Sequence, residues 1–322
     1  PHRCGGRILG RWRWWIGPSA CLGCSGCTCA VGTSPEFRIM KRDLFRAMGT
    51  TIDVTAPTDD AIVETRRLFD AVEGTCSRFL SESELSQVNR IPKAEVVLSP
   101  LMARIMHAAD TARTISHGFV DAGLGGAVCA WGYDRSFEAV DDRTGSVAPV
   151  VARRPDWSVQ GAVLSRNPGT AIDLGGVAKG WTCDRAVERG NARIVSAGGD
   201  VRSDAPDATV EIVDPWGDIA ASVVLGVGAL ATSSIARRRW RFGDREANHL
   251  IDPRTMEPSD GPVLQASAIT ATALEAEAAA KAILLQGSEG LAWADRQPWI
   301  RGALAVWTDG NVYATTGMEM AA

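Results

Sequence analysis

Residues 173–181 read DLGGVAKGW, and how this stretch is taken decides the fold. An acidic residue ends the short apolar strand of TAIDLGG (170–176), Gly175 and Gly176 form a corner, and VAKGWTCDRAVERG (177–190) reads as a helix. Strand, glycine corner and helix open the dinucleotide-binding βαβ unit, where bare backbone and a helix N-terminus receive a diphosphate. They are also an ordinary strand-to-helix connection. No G-x-G-x-x-G is present and no regular βαβ alternation surrounds the corner, which counts against a doubly wound parallel sheet.

Working outward, hairpin signals dominate. DLFRAMGTTIDVTA (43–56) reads as a hairpin or bent strand around Gly49, and Asp309-Gly310 separates two apolar stretches in ALAVWTDGNVYATT (303–316). ARIVSAGGD (192–200) is a buried strand running into a second glycine pair; ATVEIVD (208–214) and ASVVLGVGALATS (221–233) read as further strands. Ile62, Leu68, Phe69 and Val72 fall at helical spacing in 59–74. Residues 99–118 read as a helix with Ser99 as cap, Pro100 in the first position and Gly118 as terminator, and 274–287 as a helix closed by Gly287. Residues 136–170 read as irregular and turn-rich. The fold class expected is α+β, with largely antiparallel sheets, packed helices and one compact unit over 40–322.

The chain has 322 residues, 45% hydrophobic and 22% charged, with a formal net charge of −4. That balance carries no basic stripe and points away from nucleic acid, and no apolar run reaches the ~18 residues of a membrane-spanning helix. Five of eight cysteines lie in the first 29 residues, leaving Cys76, Cys129 and Cys183 in the body, too few and too scattered for a disulfide framework. Residues 1–39, dense in Cys, Trp, Gly and Arg, read as a leader or vector-derived tail: GTSPEF (32–37) looks like a cloning scar, while CLGCSGCTC (21–29) tempts an iron–sulfur or lipoprotein reading. A natural start at Met40 carries no secretory signal, so a cytoplasmic location is expected, with an exported, membrane-associated lipoprotein as the alternative.

Several segments carry chemistry. The Gly175–Gly176 corner offers close backbone approach, the following helix a positive dipole end, and Lys179 a point charge, together a seat for a phosphate. SAGGDV (196–201) repeats the strand, glycine pair and carboxylate. His249, in NHLIDPRTMEP (248–258), is one of four histidines, and a loop imidazole near its ordinary pKa suits a general base.

In combination AMGTT (47–51), SRFLSESELSQVN (77–89), GFVDAGLGG (118–126) with WGYD (131–134), AIDLGGVAKGW (171–181), SAGGDV, ATSS (231–234), HLIDPRTMEP and ASAITATALEAEAAAKAILLQG (266–287) resemble the ApbE family of flavin transferases, in the family's order. The resemblance implies a T-fold-related domain that splits FAD and attaches FMN through a phosphoester to a Thr or Ser of an acceptor flavoprotein, releasing AMP. It puts Met48, Phe79, Phe119, Val120, Asp121, Gly175, Trp181 and Ile251 at flavin-contacting positions and His249 at the base that takes the acceptor's proton. It also implies Mg²⁺ beside the Ala178 carbonyl and a helix bearing Asp and, four residues on, Thr. Here those positions are Glu277 and Lys281, and Ala280 replaces an acidic residue of some relatives. Glutamate can ligate a cation; a protonated lysine has no lone pair. Two readings stay open: a plain Glu277–Lys281 helix pair with the metal held loosely, or an ammonium in the cation's place. An FAD pyrophosphatase and a non-catalytic FAD-binding protein are the alternative functions.

Overall fold

The structure is a computed structural model and describes residues 40–142 and 155–321. The leader reading of 1–39 lies outside them. Eight strands form the main sheet: β1 (Lys41–Ala47), β2 (Thr50–Ala56), β3 (Ile194–Ala197), β4 (Asp200–Ser203), β5 (Gly228–Ser234), β6 (Val263–Thr270), β7 (Gly302–Trp307) and β8 (Val312–Ala314). They lie side by side in chain order, and every neighbouring pair is antiparallel. The expected hairpins stand: Ala47 pairs with Thr50 across Met48 and Gly49, both at positive φ, and β7 returns as β8 through Asp309 and Gly310.

Between β2 and β3 the chain makes its longest excursion, which includes helices α1 (Asp59–Cys76), α2 (Pro100–Ile115) and α3 (Ala178–Glu188). Helix α4 (Ala273–Gln286) connects β6 to β7. The caps are those the residue types favour: Thr58 accepts from the Ala61 N–H, Ser99 from that of Met102 with Pro100 following, and Thr272 and Glu275 form a reciprocal capping box.

Strand period two divides the core. Val195, Ala197, Ala229 and Ala231 face the helices, whereas Ile194, Val201, Leu230 and Ile269 face the opposite side, against a hairpin of strands Thr209–Val213 and Ile219–Val224. On the helical side small residues meet small residues. Ala266, Ala268, Ala303 and Ala305 of the sheet pack with Ala279, Ala280 and Ala282 of α4. The short side chains let α4 settle deep enough to be buried nearly all round, as an apolar-all-round helix must be. Glu277 is the one charged residue among its buried positions, only 3% exposed.

Two expectations change. Residues 136–170 are not irregular throughout: Trp157–Gln160 and Val163–Arg166 pair around Gly161 and accept Glu95–Val97 as a third strand. The TAIDL segment is not a strand. Instead of a ladder, Ile172 is gripped by the Asn89 amide, which accepts its N–H and donates to its carbonyl, both at 2.8 Å, and the Asp173 N–H donates to the Ala122 carbonyl at 2.7 Å. Side-chain and loop groups satisfy this buried backbone as a sheet neighbour would.

Candidate active site

The corner at 173–176 is held from both ends. Asp173 Oδ1 accepts the Gly175 N–H at 2.7 Å, and its Oδ2 takes a 2.7 Å bond from Arg78 Nε. Arg78 also donates to the Tyr133 carbonyl at 2.6 Å, and its guanidinium lies over the rings of Phe79 and Tyr133. One arginine thus ties three sequence-distant segments together. Its charge sits in the Ser-rich stretch SRFLSESELSQVN, where nothing local marks it as a clamp.

The glycine pair serves a purpose the sequence does not reveal. Neither residue needs positive φ. A Cβ on Gly176 would stand 3.2 Å from Lys281 Cε and 3.4 Å from its Nζ, so the missing side chain leaves the path that Lys281 occupies. The pair at Gly198–Gly199 is a true tight turn, with φ of 63° and 128°, and a Cβ on Gly198 would meet Thr50 Oγ1 at 2.5 Å.

Behind the corner lies a buried charge cluster. Lys179 Nζ donates to Glu277 Oε1 at 2.9 Å, lies 3.2 Å from Asp200 Oδ2 and reaches the Gly175 carbonyl at 3.4 Å. Lys281 Nζ donates to the same Glu277 oxygen at 2.9 Å. Glu277 Oε2 and Asp200 Oδ2 are buried without a hydrogen-bond donor. Burial penalises the Glu277 charge, but the two ammonium groups outweigh it and hold the carboxyl at about 2. Asp200 goes the other way, pushed up to about 6 by burial and the Glu277 charge against the pull of Lys179. Lys179 is desolvated yet raised above the ordinary lysine value by the two carboxylates.

The frame beneath the cluster is rigid. Asp184 of α3 accepts the N–H groups of Ala273 and Leu274, at 2.7 and 3.0 Å, capping α4 from a neighbouring helix. At Gly180 the two helices approach so closely that a Cβ would stand 2.8 Å from the Ala273 carbonyl oxygen.

His249 follows the hairpin Arg239–Phe242/Arg245–Asn248, which lies between β5 and β6. Its Nδ1 is shielded and has no hydrogen-bond partner. Burial, then the charges of Arg238, Lys281 and Lys179, push its pKa down to about 3, so the imidazole is neutral. The expectation of a near-ordinary pKa is corrected: the sequence places His249 in a loop, but not beside three cations. Arg238 bears on His249, Lys179 and Tyr133 together and forms no ion pair among the described residues. It was not singled out from the sequence, where it is one of three consecutive arginines.

The remaining sequence candidates divide. Met48 caps the β1–β2 turn, and Phe79 is 41% exposed beside Tyr133, at 5.7 Å between ring centroids. Phe119 carries the Arg254 guanidinium over its ring, and Ile251 is buried in the cluster of Trp131, Tyr133 and Trp240. Asp121 Oδ1 is engaged with the Gly123 N–H and Trp157 Nε1, both at 2.7 Å. Val120 is buried in the core, and Trp181 lines a cavity of about 660 Å³ with Arg104, His107 and Arg185, on the α2 side of α3 and away from Lys179. The Ala178 carbonyl accepts the Thr182 hydroxyl at 2.6 Å.

The ApbE family model matches residues 48–304, most of the chain and every segment that builds this cluster. The chain belongs to the ApbE family. It is 31% identical over 239 residues to an FAD:protein FMN transferase of Rhodobacter capsulatus, an alignment covering 69% of this chain and 45% of the relative, so it spans under half of that protein. A second FAD:protein FMN transferase, from Vibrio cholerae, is 25% identical over 77% of this chain and 82% of its own length. Among solved structures, the ApbE protein of Thermotoga maritima superposes with a TM-score of 0.73 at 21% identity, covering 86% of this chain and 97% of its own. Flavin transferase ApbE of Vibrio cholerae does so at 0.70 and 21%, covering 86% and 97%. These likenesses carry the α+β fold over to the ApbE domain.

Proposed function

We propose that this ApbE-family chain transfers the FMN half of FAD to a Thr or Ser hydroxyl of an acceptor flavoprotein, with AMP as the leaving product. The observation that carries the reading is a neutral imidazole, His249, with an unpartnered Nδ1, set among Lys179, Lys281 and Arg238 beside a glycine corner. The names of the related transferases support it.

In this reaction the acceptor oxygen forms a bond to the phosphorus on the FMN side of the diphosphate as the P–O bond to AMP breaks. His249 Nδ1 takes the hydroxyl proton. A diphosphate drawn in by the three cations would add negative charge beside the imidazole and raise its basicity. The cations then offset the charge developing on the departing AMP phosphate, the main protein contribution in phosphoryl transfer. Phe79, exposed beside Tyr133 with the Arg78 guanidinium over its ring, offers a face to an aromatic ring, and Met48, Phe119, Gly175 and Ile251 are further candidates for flavin contact.

The family's Mg²⁺ fits these residues poorly. Glu277 Oε1 already accepts from two ammonium groups, the Ala178 carbonyl accepts from Thr182, and Lys281 offers no lone pair. Hard cations want several oxygen ligands.

The test is to incubate the protein with FAD, with and without an acceptor peptide, following AMP by chromatography and bound flavin by in-gel fluorescence. Fluorescent acceptor with stoichiometric AMP is expected. AMP without labelled acceptor replaces transfer by hydrolysis, and yellow protein without AMP replaces both by storage. His249→Gln is expected to lower transfer by about 10²–10⁴-fold while keeping flavin binding.

A further inference from the structure

We propose that the paired ammonium groups of Lys281 and Lys179 are this chain's resident cation, standing where a divalent ion would neutralise the diphosphate. The inference rests on the transfer reading and adds to it the identity of the charge carrier.

Three features of geometry support it. First, both ammonium groups are fixed on a single acceptor, Glu277 Oε1, at 2.9 Å each. A divalent ion on that carboxylate would sit beside two positive charges that already share its Oε1. Second, Lys281 is built into the site and does not hang from the surface. Its side chain is 14% exposed, it rises from a helix packed all round, and its terminal methylene crosses the bare backbone of Gly176. Replacing Gly176 by any other residue would put a β-carbon on that path. Third, the donor count matches an anion. An ammonium carries three N–H donors; Lys281 gives one to Glu277, leaving two at the corner for phosphate oxygens.

Charge points the same way. Lys179, Lys281 and Arg238 set three positive charges against the carboxylates of Glu277 and Asp200, with His249 neutral. The cluster therefore has positive charge to spare for an anion, and a second cation would add to the imbalance. An ammonium delivers that charge without the ligand exchange a metal needs, in a position set by helix α4.

The experiment uses chelator-treated wild-type protein. FAD affinity is read by flavin fluorescence, AMP release by chromatography, and metal retention by electron paramagnetic resonance with Mn²⁺ as probe, in EDTA and in excess Mg²⁺. Affinity and AMP release are expected to differ less than about twofold between the two conditions, with no Mn²⁺ retained in the presence of FAD. Lys281→Met is expected to cut AMP release by about 10²–10³-fold, the usual cost of losing one charge-stabilising donor, and Lys281→Arg to recover part of it. The wild-type metal readouts decide the matter should Lys281→Met fail to fold. Stoichiometric Mn²⁺ abolished by Glu277→Gln, with activity lost in EDTA and restored by Mg²⁺, would overturn the inference and leave transfer standing. Absence of flavin binding in every condition would overturn both.

Discussion

Lys179 and Lys281, about a hundred residues apart in the chain, donate to the same oxygen of Glu277 at the same 2.9 Å distance. Buried like charges share an acceptor at this range only where the frame compels it, because each is desolvated and each repels the other. The frame here is the α3–α4 contact, fixed by the Asp184 cap on the α4 N-terminus and by the close approach at Gly180.

Removing one partner should therefore be costly. Lys179→Met leaves Asp200 without its cation and Glu277 with only Lys281, in a buried setting. Stability is expected to fall by about 3–5 kcal/mol, the usual cost of breaking a buried ion pair from one side. Denaturant titration checks this, and a loss below about 1 kcal/mol would mean the cluster is solvated.

Gly180→Ala probes the frame without touching a charge. Its Cβ would collide with the Ala273 carbonyl at 2.8 Å and drive α3 off α4. About 1–3 kcal/mol of stability should be lost through overpacking, and flavin affinity should fall with it because Lys179 withdraws from Glu277. Gly126→Ala, where the added carbon meets nothing within 4 Å, is the control.

The neutral His249 predicts a pH signature. Its folded value lies near 3 and its ordinary value at 6.5. Between these limits the unfolded chain binds the proton and the folded chain does not, so this group's contribution is lost as pH falls below 6.5, by up to about 1.4 kcal/mol per unit. Asp200, raised from 3.8 to about 6, opposes this: its folded form keeps the proton longer, and its contribution is lost as pH rises through that window. Comparing wild type with His249→Gln cancels the Asp200 effect. The variant is expected to gain on wild type as pH drops from 6.5 to 4; a difference independent of pH refutes a shielded imidazole.

Arg78→Lys tests the clamp. A lysine cannot give Asp173 and the Tyr133 carbonyl the fixed fork of a guanidinium, nor lie flat under two rings. A stability loss of about 1–3 kcal/mol is expected from the disturbed buried acceptors, measured by thermal melting. An unchanged melt would show that the corner holds without it.

The legible parts of this chain are those written in local code. Ser99-Pro100, Asp309-Gly310 and the Gly287 stop each name their turn or cap by residue type, and the structure follows them. Trp157–Gln160 was legible in principle, since its burial alternates, but four residues beside a turn-rich run gave too short a period to count. The charge cluster was not legible, because no rule of spacing links Lys179 to Asp200 or to Glu277. Trp181 follows Lys179 by two residues, which turns its side chain about 200° around the axis, toward α2 while Lys179 meets Glu277.

The chain-order sheet has an evolutionary consequence. Each excursion departs from one strand and rejoins at its immediate neighbour, so the His249 segment between β5 and β6 can be lengthened, shortened or exchanged without re-registering any other strand. Lys179 on α3 and Glu277 and Lys281 on α4 lie outside that segment, whereas Arg238 and His249 lie on it. A lengthened or exchanged segment would therefore alter Arg238 and His249 while leaving the Lys179–Glu277–Lys281 contacts in place.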